Sequence, residues 1–189
     1  LQGRDILYDQ NGRYNLRIRR ALEALYLNYK GDKQSDDFLL FEKYLKRVWF
    51  SNGIHHHYSE DKFLPEFTEA WYRQACAEAG LTVDEMLIPV MFDPAVMPKR
   101  TNQAAGQDLV LTSAGNYYEG VTQAEAEAYY AAHKDNSPEP KWIGLNSKLT
   151  KENGEVVEKT YKVGAMYSAA LEKVVYYLQK ALPFAENDQ

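Results

Sequence analysis

The sequence predicts a helix-dominated α+β protein, and three observations support this class. Apolar residues recur at three- and four-residue steps over several long segments, which is the period of amphipathic α-helices. Residues 143–164 instead alternate apolar and polar residues on both sides of an Asn-Gly pair, which indicates a β-hairpin. Helices and hairpin do not alternate as βαβ units, so we expect amphipathic helices packed with a small sheet.

The first two predicted helices form a pair. Residues 9–12, Asp-Gln-Asn-Gly, indicate a turn, and a helix over residues 14–29 follows it. A second helix begins after Ser35, which is the expected N-cap, and residues 51–53 end it. Their apolar stripes are Ile18, Leu22, Leu25 and Tyr29 in the first helix and Phe38, Phe41, Leu45 and Val48 in the second. Two consecutive amphipathic helices predict a helical hairpin.

The middle of the chain gives weaker signals. A third helix is predicted over residues 68–78, and Thr82 with Glu85 matches a capping box that opens a shorter helix. Residues 89–98 contain three of the seven prolines and indicate an irregular connector. Residues 108–112 are a short strand candidate.

The last third carries the clearest local signals. Thr122 and Glu125 form a second capping-box pattern, which predicts a helix ending at Ala132. The hairpin turns at Asn153-Gly154, and a final helix is predicted over residues 165–181. Apolar and small residues that alternate before the turn are Leu145, Ser147 and Leu149.

Composition limits the function. A length of 189 residues suits one domain over residues 1–189, or at most two small lobes, and a net charge of −5 argues against a nucleic-acid partner. No apolar run approaches 18 residues, so we expect no membrane partner. The sequence does not distinguish a cytoplasmic from a periplasmic location. With Cys76 alone, neither an internal disulfide nor a cysteine zinc site is possible. The chain begins with Leu1 rather than Met, as expected for a segment excised from a longer protein.

Three consecutive histidines form the least ordinary motif. On an extended segment His55 and His57 would face one side and His56 the other, so His55 and His57 could provide two metal ligands. Glu60, Asp61, His133 or a residue distant in sequence would have to complete such a site, and the spacing singles out none of them. The other interpretation, which we favour, is a loop whose histidines bond to backbone or neighbouring groups. The sequence contains no complete hydrolase triad, phosphate-binding glycine loop or dinucleotide fingerprint.

Several segments resemble one known family. The resemblance is carried by residues 49–58, Trp-Phe-Ser-Asn-Gly-Ile-His-His-His-Tyr, and by residues 62–65, 92–100, 116–123 and the hairpin. On these segments the chain is similar to the bacterial branch of the dipeptidyl peptidase III family of zinc metallopeptidases. The segments lie in the family's order along essentially the whole chain, which covers only part of the family's length.

The resemblance implies a segment of a two-lobed enzyme that removes dipeptides from peptide N-termini. The family binds zinc through a His-Glu-x-x-x-His motif and a later glutamate in its upper lobe, and neither that motif nor the family's Glu-Ser-Tyr segment occurs here. The chain therefore resembles part of the lower, N-terminal lobe. The implied cofactor is zinc in the full-length parent and none in this segment. The implied partners are a peptide substrate and the missing upper lobe, and the segment alone is expected to be inactive.

The loop over residues 52–63 matches a part of the family that lines its cleft. The residues that the resemblance makes candidates for contact with substrate are Asn52, Gly53, His57, Tyr58 and Lys62. Imidazole, phenol and ammonium groups beside a glycine break can engage a peptide backbone or carboxylate. A loop that only supports the lobe is an equally open interpretation.

Two other functions stay open at this point. One is a non-catalytic module that binds peptides or glycans, with Tyr117 and Tyr118 as its recognition surface. The other, weaker one is a metal-binding domain centred on His55 and His57.

Overall fold

Seven α-helices and a three-stranded mixed sheet are found in the part of the chain described by this computed structural model, residues 2–141, 143–144 and 146–187. The predicted helix-dominated α+β class is confirmed. The helices are α1 (Gln2–Asn11), α2 (Asn15–Asn28), α3 (Asp36–Ser51), α4 (Glu69–Glu78), α5 (Leu87–Phe92), α6 (Gln123–Ala132) and α7 (Ser168–Ala181). The strands are β1 (Tyr118–Glu119), β2 (Ser147–Glu152) and β3 (Glu155–Thr160). None of the described helices combines the length and apolar composition that a bilayer-spanning helix needs.

The chain forms two compact units. The helical unit comprises residues 7–116, and the sheet unit comprises residues 1–6 and 117–189. The prediction of a single lobe segment over residues 1–189 stays a prediction.

The core of the helical unit is built from the apolar stripes of α2 and α3. Every residue of the α3 stripe is buried, and so are Ile18, Leu22 and Leu25 of α2, which confirms the predicted helical hairpin. Aromatic rings fill the space towards α4, where Phe41 lies 5.6 Å from Phe67 between ring centroids. Cys76 is buried in α4, as expected for a small apolar side chain.

Three predictions about local structure in this unit are wrong, and a fourth holds only in part. The segment predicted as a turn over residues 9–12 is helical up to Asn11, because α1 continues past the fully buried Tyr8 and the turn comes at residues 12–14. No helix begins at Thr82, since the Glu85 carboxylate pairs with Arg73 instead of capping.

Residues 89–98 are not wholly irregular. Helix α5 includes Pro89, which lies in its first turn, where a missing backbone N–H costs no hydrogen bond. Residues 108–112 form turns rather than a strand, because the Asp108 carboxylate accepts hydrogen bonds from the N–H groups of Val110 and Leu111.

The sheet unit confirms the predicted hairpin. Strands β2 and β3 pair antiparallel in the register Ser147 with Thr160, and the turn falls at Asn153-Gly154, both with positive φ. Strand β1 adds in parallel to β2. Thr122 and Glu125 form the predicted capping box at α6. The predicted position of Leu145 lies outside the described residues.

Candidate functional site

The site is built on the end of α3. Asn52 follows the helix with φ 52°, and its N–H donates to the carbonyl oxygen of Val48. Gly53 comes next with φ 150° and is buried against Asn15, whose side-chain amide would lie 2.1 Å from a β-carbon at this position. The side-chain Oδ1 of Asn15 also accepts a hydrogen bond from the N–H of Ile54 at 3.3 Å. Glycine is therefore required where the chain leaves α3 and enters the next loop.

Residues 54–63, here called the histidine loop, fold back on themselves. The N–H of Phe63 donates to the Ile54 carbonyl at 2.7 Å, and the N–H of His56 donates to the Asp61 carbonyl at 2.7 Å. The chain turns at residues 57–59. Because the strand-like geometry stops at this turn, the predicted alternation that placed His55 and His57 on one side is wrong.

His55 points into the helical unit. It is 2% exposed, and its Nε2–H donates to the carbonyl oxygen of Met97 at 2.9 Å. Burial lowers the pKa of the His55 imidazole, although the hydrogen bond to Met97 opposes that shift. His55 therefore acts as a neutral anchor between the histidine loop and residues 96–100.

His56 and His57 instead lie side by side in a ring cluster at the surface. Their ring centroids are 4.8 Å apart, and the His57 ring lies 4.1 Å from the Tyr58 ring and 4.9 Å from the Phe50 ring. The Nδ1 atom of His56 accepts the N–H groups of Tyr58 and Ser59, which fixes the turn. Tyr58 is 83% exposed and Phe50 is 74% exposed. The cluster thus presents aromatic surface next to a hydrogen-bonding imidazole.

A groove of about 740 Å³ runs along the outer face of α3 beside this cluster. Its size lies in the range of small-ligand and short-peptide sites. The residues that line it are Leu39, Glu42, Lys43, Lys46, Arg47, Phe50, Ser51, His56, His57 and Phe63. We call it the α3 groove. Its lining therefore combines cations, exposed apolar side chains and two of the three consecutive histidines, His56 and His57.

Ion pairs organise the charged wall of the α3 groove. Lys46 pairs with Glu42 at 2.7 Å, while Lys43 and Arg47 share Glu66, at 2.7 and 3.1 Å. These cations hold the pKa of the Glu42 and Glu66 carboxyl groups below the ordinary value, so both acids are charged at neutral pH.

Lys62 lies at the base of the histidine loop but is used internally. Its ammonium group donates to the carbonyl oxygens of Val90, at 3.1 Å, and of Asp93 and Val96. These acceptors lie at and after the C-terminal end of α5, where a cation is favoured. Burial lowers the pKa of Lys62. The Lys62 ammonium therefore holds residues 90–96 against the loop.

Two salt bridges complete this attachment. Arg100 binds both carboxylate oxygens of Glu60, which lowers the pKa of Glu60, and Lys99 pairs with Asp61. The histidine loop is thereby held along one side, while His57 and Tyr58 stay at its free tip.

The described residues do not fit a zinc site. Among the described residues, no group of three or more His, Cys, Asp or Glu side chains lies close enough to hold a metal ion. His55 is hydrogen-bonded to the Met97 carbonyl oxygen. Glu60 forms a salt bridge with Arg100, and Asp61 forms one with Lys99. These three candidate metal ligands therefore already have other partners. The favoured interpretation of histidines bonded to backbone groups holds for His55 and His56.

The structure brings together only some of the five candidate contact residues. His57 and Tyr58 meet in the ring cluster, whereas Gly53 is buried and Lys62 is occupied by carbonyl groups. Asn52 is half-buried, and its carbonyl oxygen accepts a hydrogen bond from Asn11.

The sequence analysis missed the cationic wall of the groove. The signal that could have found it is the spacing of Leu39, Lys43, Lys46 and Phe50, which places exposed residues on one side of α3 opposite its apolar stripe.

The sheet unit holds a second, shallower groove of about 590 Å³ between α6 and β3. His133 stacks on Tyr129 there, with ring centroids 4.1 Å apart. Tyr118 belongs to β1, and the carbonyl oxygen of Tyr117 accepts the N–H of Leu149, so this tyrosine pair is part of the sheet rather than a free loop.

Comparison of the sequence with models of protein families gives no match, and no curated protein matches the chain.

Proposed function

We propose that this chain is a non-catalytic segment of a zinc-dependent exopeptidase resembling dipeptidyl peptidase III, in which it forms one wall of a peptide-binding cleft. The observation that carries the proposal is the α3 groove with His57 and Tyr58 at its edge. These two residues lie in the segment on which the family resemblance depends most.

The chemistry of the α3 groove suits a peptide. Exposed Phe50 and Tyr58 offer surface for apolar side chains, and His57 provides a hydrogen-bonding group beside them. The histidine loop is held by His55, Lys62 and Arg100, so its tip is positioned in advance. A binding surface that is already ordered loses less conformational entropy on association.

Catalysis in this proposal belongs to the upper lobe of the longer protein. The zinc there would supply the activated water, while this chain binds and orients the peptide. The chain alone would release no dipeptides, because no group of three or more His, Cys, Asp or Glu side chains lies close enough among the described residues to hold the zinc.

The test is release of a dipeptide from a dipeptidyl-naphthylamide by the longer protein, with and without a chelator. Chelator-sensitive release by the longer protein and none by this chain alone is the expected result. In the longer protein, His57→Ala should raise KM several-fold with little change in kcat, whereas His133→Ala in the sheet unit should change neither. Absence of release from the longer protein would overturn the proposal and favour a peptide- or glycan-binding module.

A further inference from the structure

The exposed side chains of α3 are arranged in a line along the groove. Leu39 and Phe50 are 11 residues apart, which places them on the same helix face about 16 Å from each other. Lys43 and Lys46 lie between them on that face. An extended peptide advances about 3.3 Å per residue, so roughly five residues span the distance from Leu39 to Phe50.

The charge of the groove has the opposite sign to that of the whole chain. The chain carries a net charge of −5, yet the groove is lined by three cations, Lys43, Lys46 and Arg47, and one carboxylate, Glu42. Lys43 and Arg47 share the neighbouring Glu66. One carboxylate therefore serves two cations, which leaves positive charge available to an acidic ligand.

Two polar atoms at the Phe50 end of the groove lack hydrogen-bond partners among the described residues. They are the hydroxyl of Ser51, a residue that is 4% exposed, and Nδ1 of His57. A buried polar group without a partner is destabilising, and a ligand that completes it gains binding free energy. Both atoms are buried, so the N–H and C=O groups of a peptide main chain reach them once neighbouring side chains shift.

We infer that the α3 groove binds an extended peptide segment that carries carboxylate side chains between two apolar side chains. This inference rests on the proposed function and names the class of peptide that the cleft wall selects. Leu39 and Phe50 contact the apolar side chains, and Lys43, Lys46 and Arg47 receive the carboxylates. Ser51 and His57 bind the peptide main chain.

Isothermal titration calorimetry with three blocked hexapeptides tests this inference. Their sequences are Leu-Ser-Glu-Glu-Ser-Phe, Leu-Ser-Gln-Gln-Ser-Phe and Leu-Ser-Lys-Lys-Ser-Phe, each acetylated and amidated so that only side chains carry charge. The Glu peptide should bind roughly three- to tenfold more tightly than the Gln peptide, and the Lys peptide most weakly. The preference should shrink as salt is raised.

Two matched double variants locate the effect. Lys43→Gln/Lys46→Gln should abolish the preference for the Glu peptide, whereas Lys173→Gln/Lys180→Gln on α7 removes the same charge outside the groove and should leave it intact. Lys43 and Lys46 are exposed, so the first variant should fold normally, as circular dichroism can verify. Ser51→Ala should weaken the Glu and Gln peptides by the same factor.

The outcomes separate this inference from the proposed function. Equal binding of the Glu and Gln peptides, or equal loss in both lysine variants, would overturn the selectivity for acidic peptides while dipeptide release by the longer protein still stands. No binding of any peptide, with chelator-sensitive release intact, would also overturn the groove as the binding surface. If the longer protein releases no dipeptide, the proposed function itself is overturned.

Discussion

The helical and sheet units carry similar amphipathic patterns but use them differently. In the helical unit, the apolar stripes of α2 and α3 are buried against each other and against aromatic rings. In the sheet unit, α7 has an equally clear stripe, yet none of its described residues is buried, and Val174, Val175 and Leu178 are exposed. Periodicity therefore predicts a helix and its apolar face, but not whether that face packs against another part of the protein.

The two units should differ most in the stability lost when an apolar side chain is truncated. Phe41→Ala in the helical unit should lower the free energy of unfolding by about 3–5 kcal/mol, because it removes a fully buried ring from the aromatic core. Leu178→Ala on α7 should change it by no more than about 0.5 kcal/mol, because Leu178 is exposed. Urea denaturation of both variants measures this. Equal losses of unfolding free energy in the two variants would show that the α7 stripe is covered in solution, and would contradict the difference between the two units.

Gly53 tests the geometry at the end of α3. Gly53→Ala should lower the free energy of unfolding by roughly 2 kcal/mol or more, since its φ is 150° and a β-carbon would collide with Asn15. Gly115→Ala is the matched control, because the nearest atom to its β-carbon, the Arg100 carbonyl oxygen, lies 3.5 Å away. Thermal and urea unfolding of both variants give the comparison. A Gly53→Ala variant as stable as the control would refute the requirement for glycine here.

Substitution of Lys62 tests whether this residue supports the histidine loop or contacts the peptide. Lys62→Met should cost about 1–3 kcal/mol of stability, because three carbonyl oxygens lose a charged donor. Lys99→Met, which removes an exposed ion pair with Asp61, should cost less than about 1 kcal/mol. Unfolding curves decide between the roles. Unchanged stability with weakened peptide binding would instead make Lys62 a contact residue.

The smallest expected effect is the contribution of His55 to the pH dependence of the free energy of unfolding. Burial lowers its folded pKa below the ordinary value, so the folded protein binds fewer protons than the unfolded chain between the two values, and stability falls as the pH drops below about 6.5. The charged groups that face it are Glu60, Lys62 and Arg100. The lowered pKa of Glu60 adds a loss of stability only at more acidic pH.

His55→Gln should therefore lose less stability than the parent chain between pH 7.5 and pH 5.5, as urea titrations at both pH values can measure. An unchanged dependence in His55→Gln would assign the acid sensitivity to other groups.

Much of the fold follows from the sequence because local signals and packing agree there. The α3 stripe, the Thr122 capping box and the Asn153-Gly154 turn each specify their structure through contacts only a few residues apart. Where contacts distant in sequence decide, the predictions are wrong. Glu85 binds Arg73 instead of capping a helix, and the buried Tyr8 extends α1 through a predicted turn.

The candidate site was predictable only in part for the same reason. The sequence pattern singles out the histidine run, but the pairing of Phe63 with Ile54 decides that His55 is buried while His57 lies in the surface ring cluster. Lys62 was singled out by resemblance, and its role depends on carbonyl groups about 30 residues away. The cations of α3 carry no motif and become a site only beside the histidine loop.

The most direct test of the account is to map binding of the blocked Glu hexapeptide by two-dimensional amide NMR of the labelled chain. If the α3 groove is the peptide-binding wall, concentration-dependent shift changes will concentrate on the outer face of α3 and on residues 56–58, and His57→Ala will weaken them. Changes confined to the groove between α6 and β3, or no changes at millimolar peptide, would contradict the α3 groove as the peptide-binding wall.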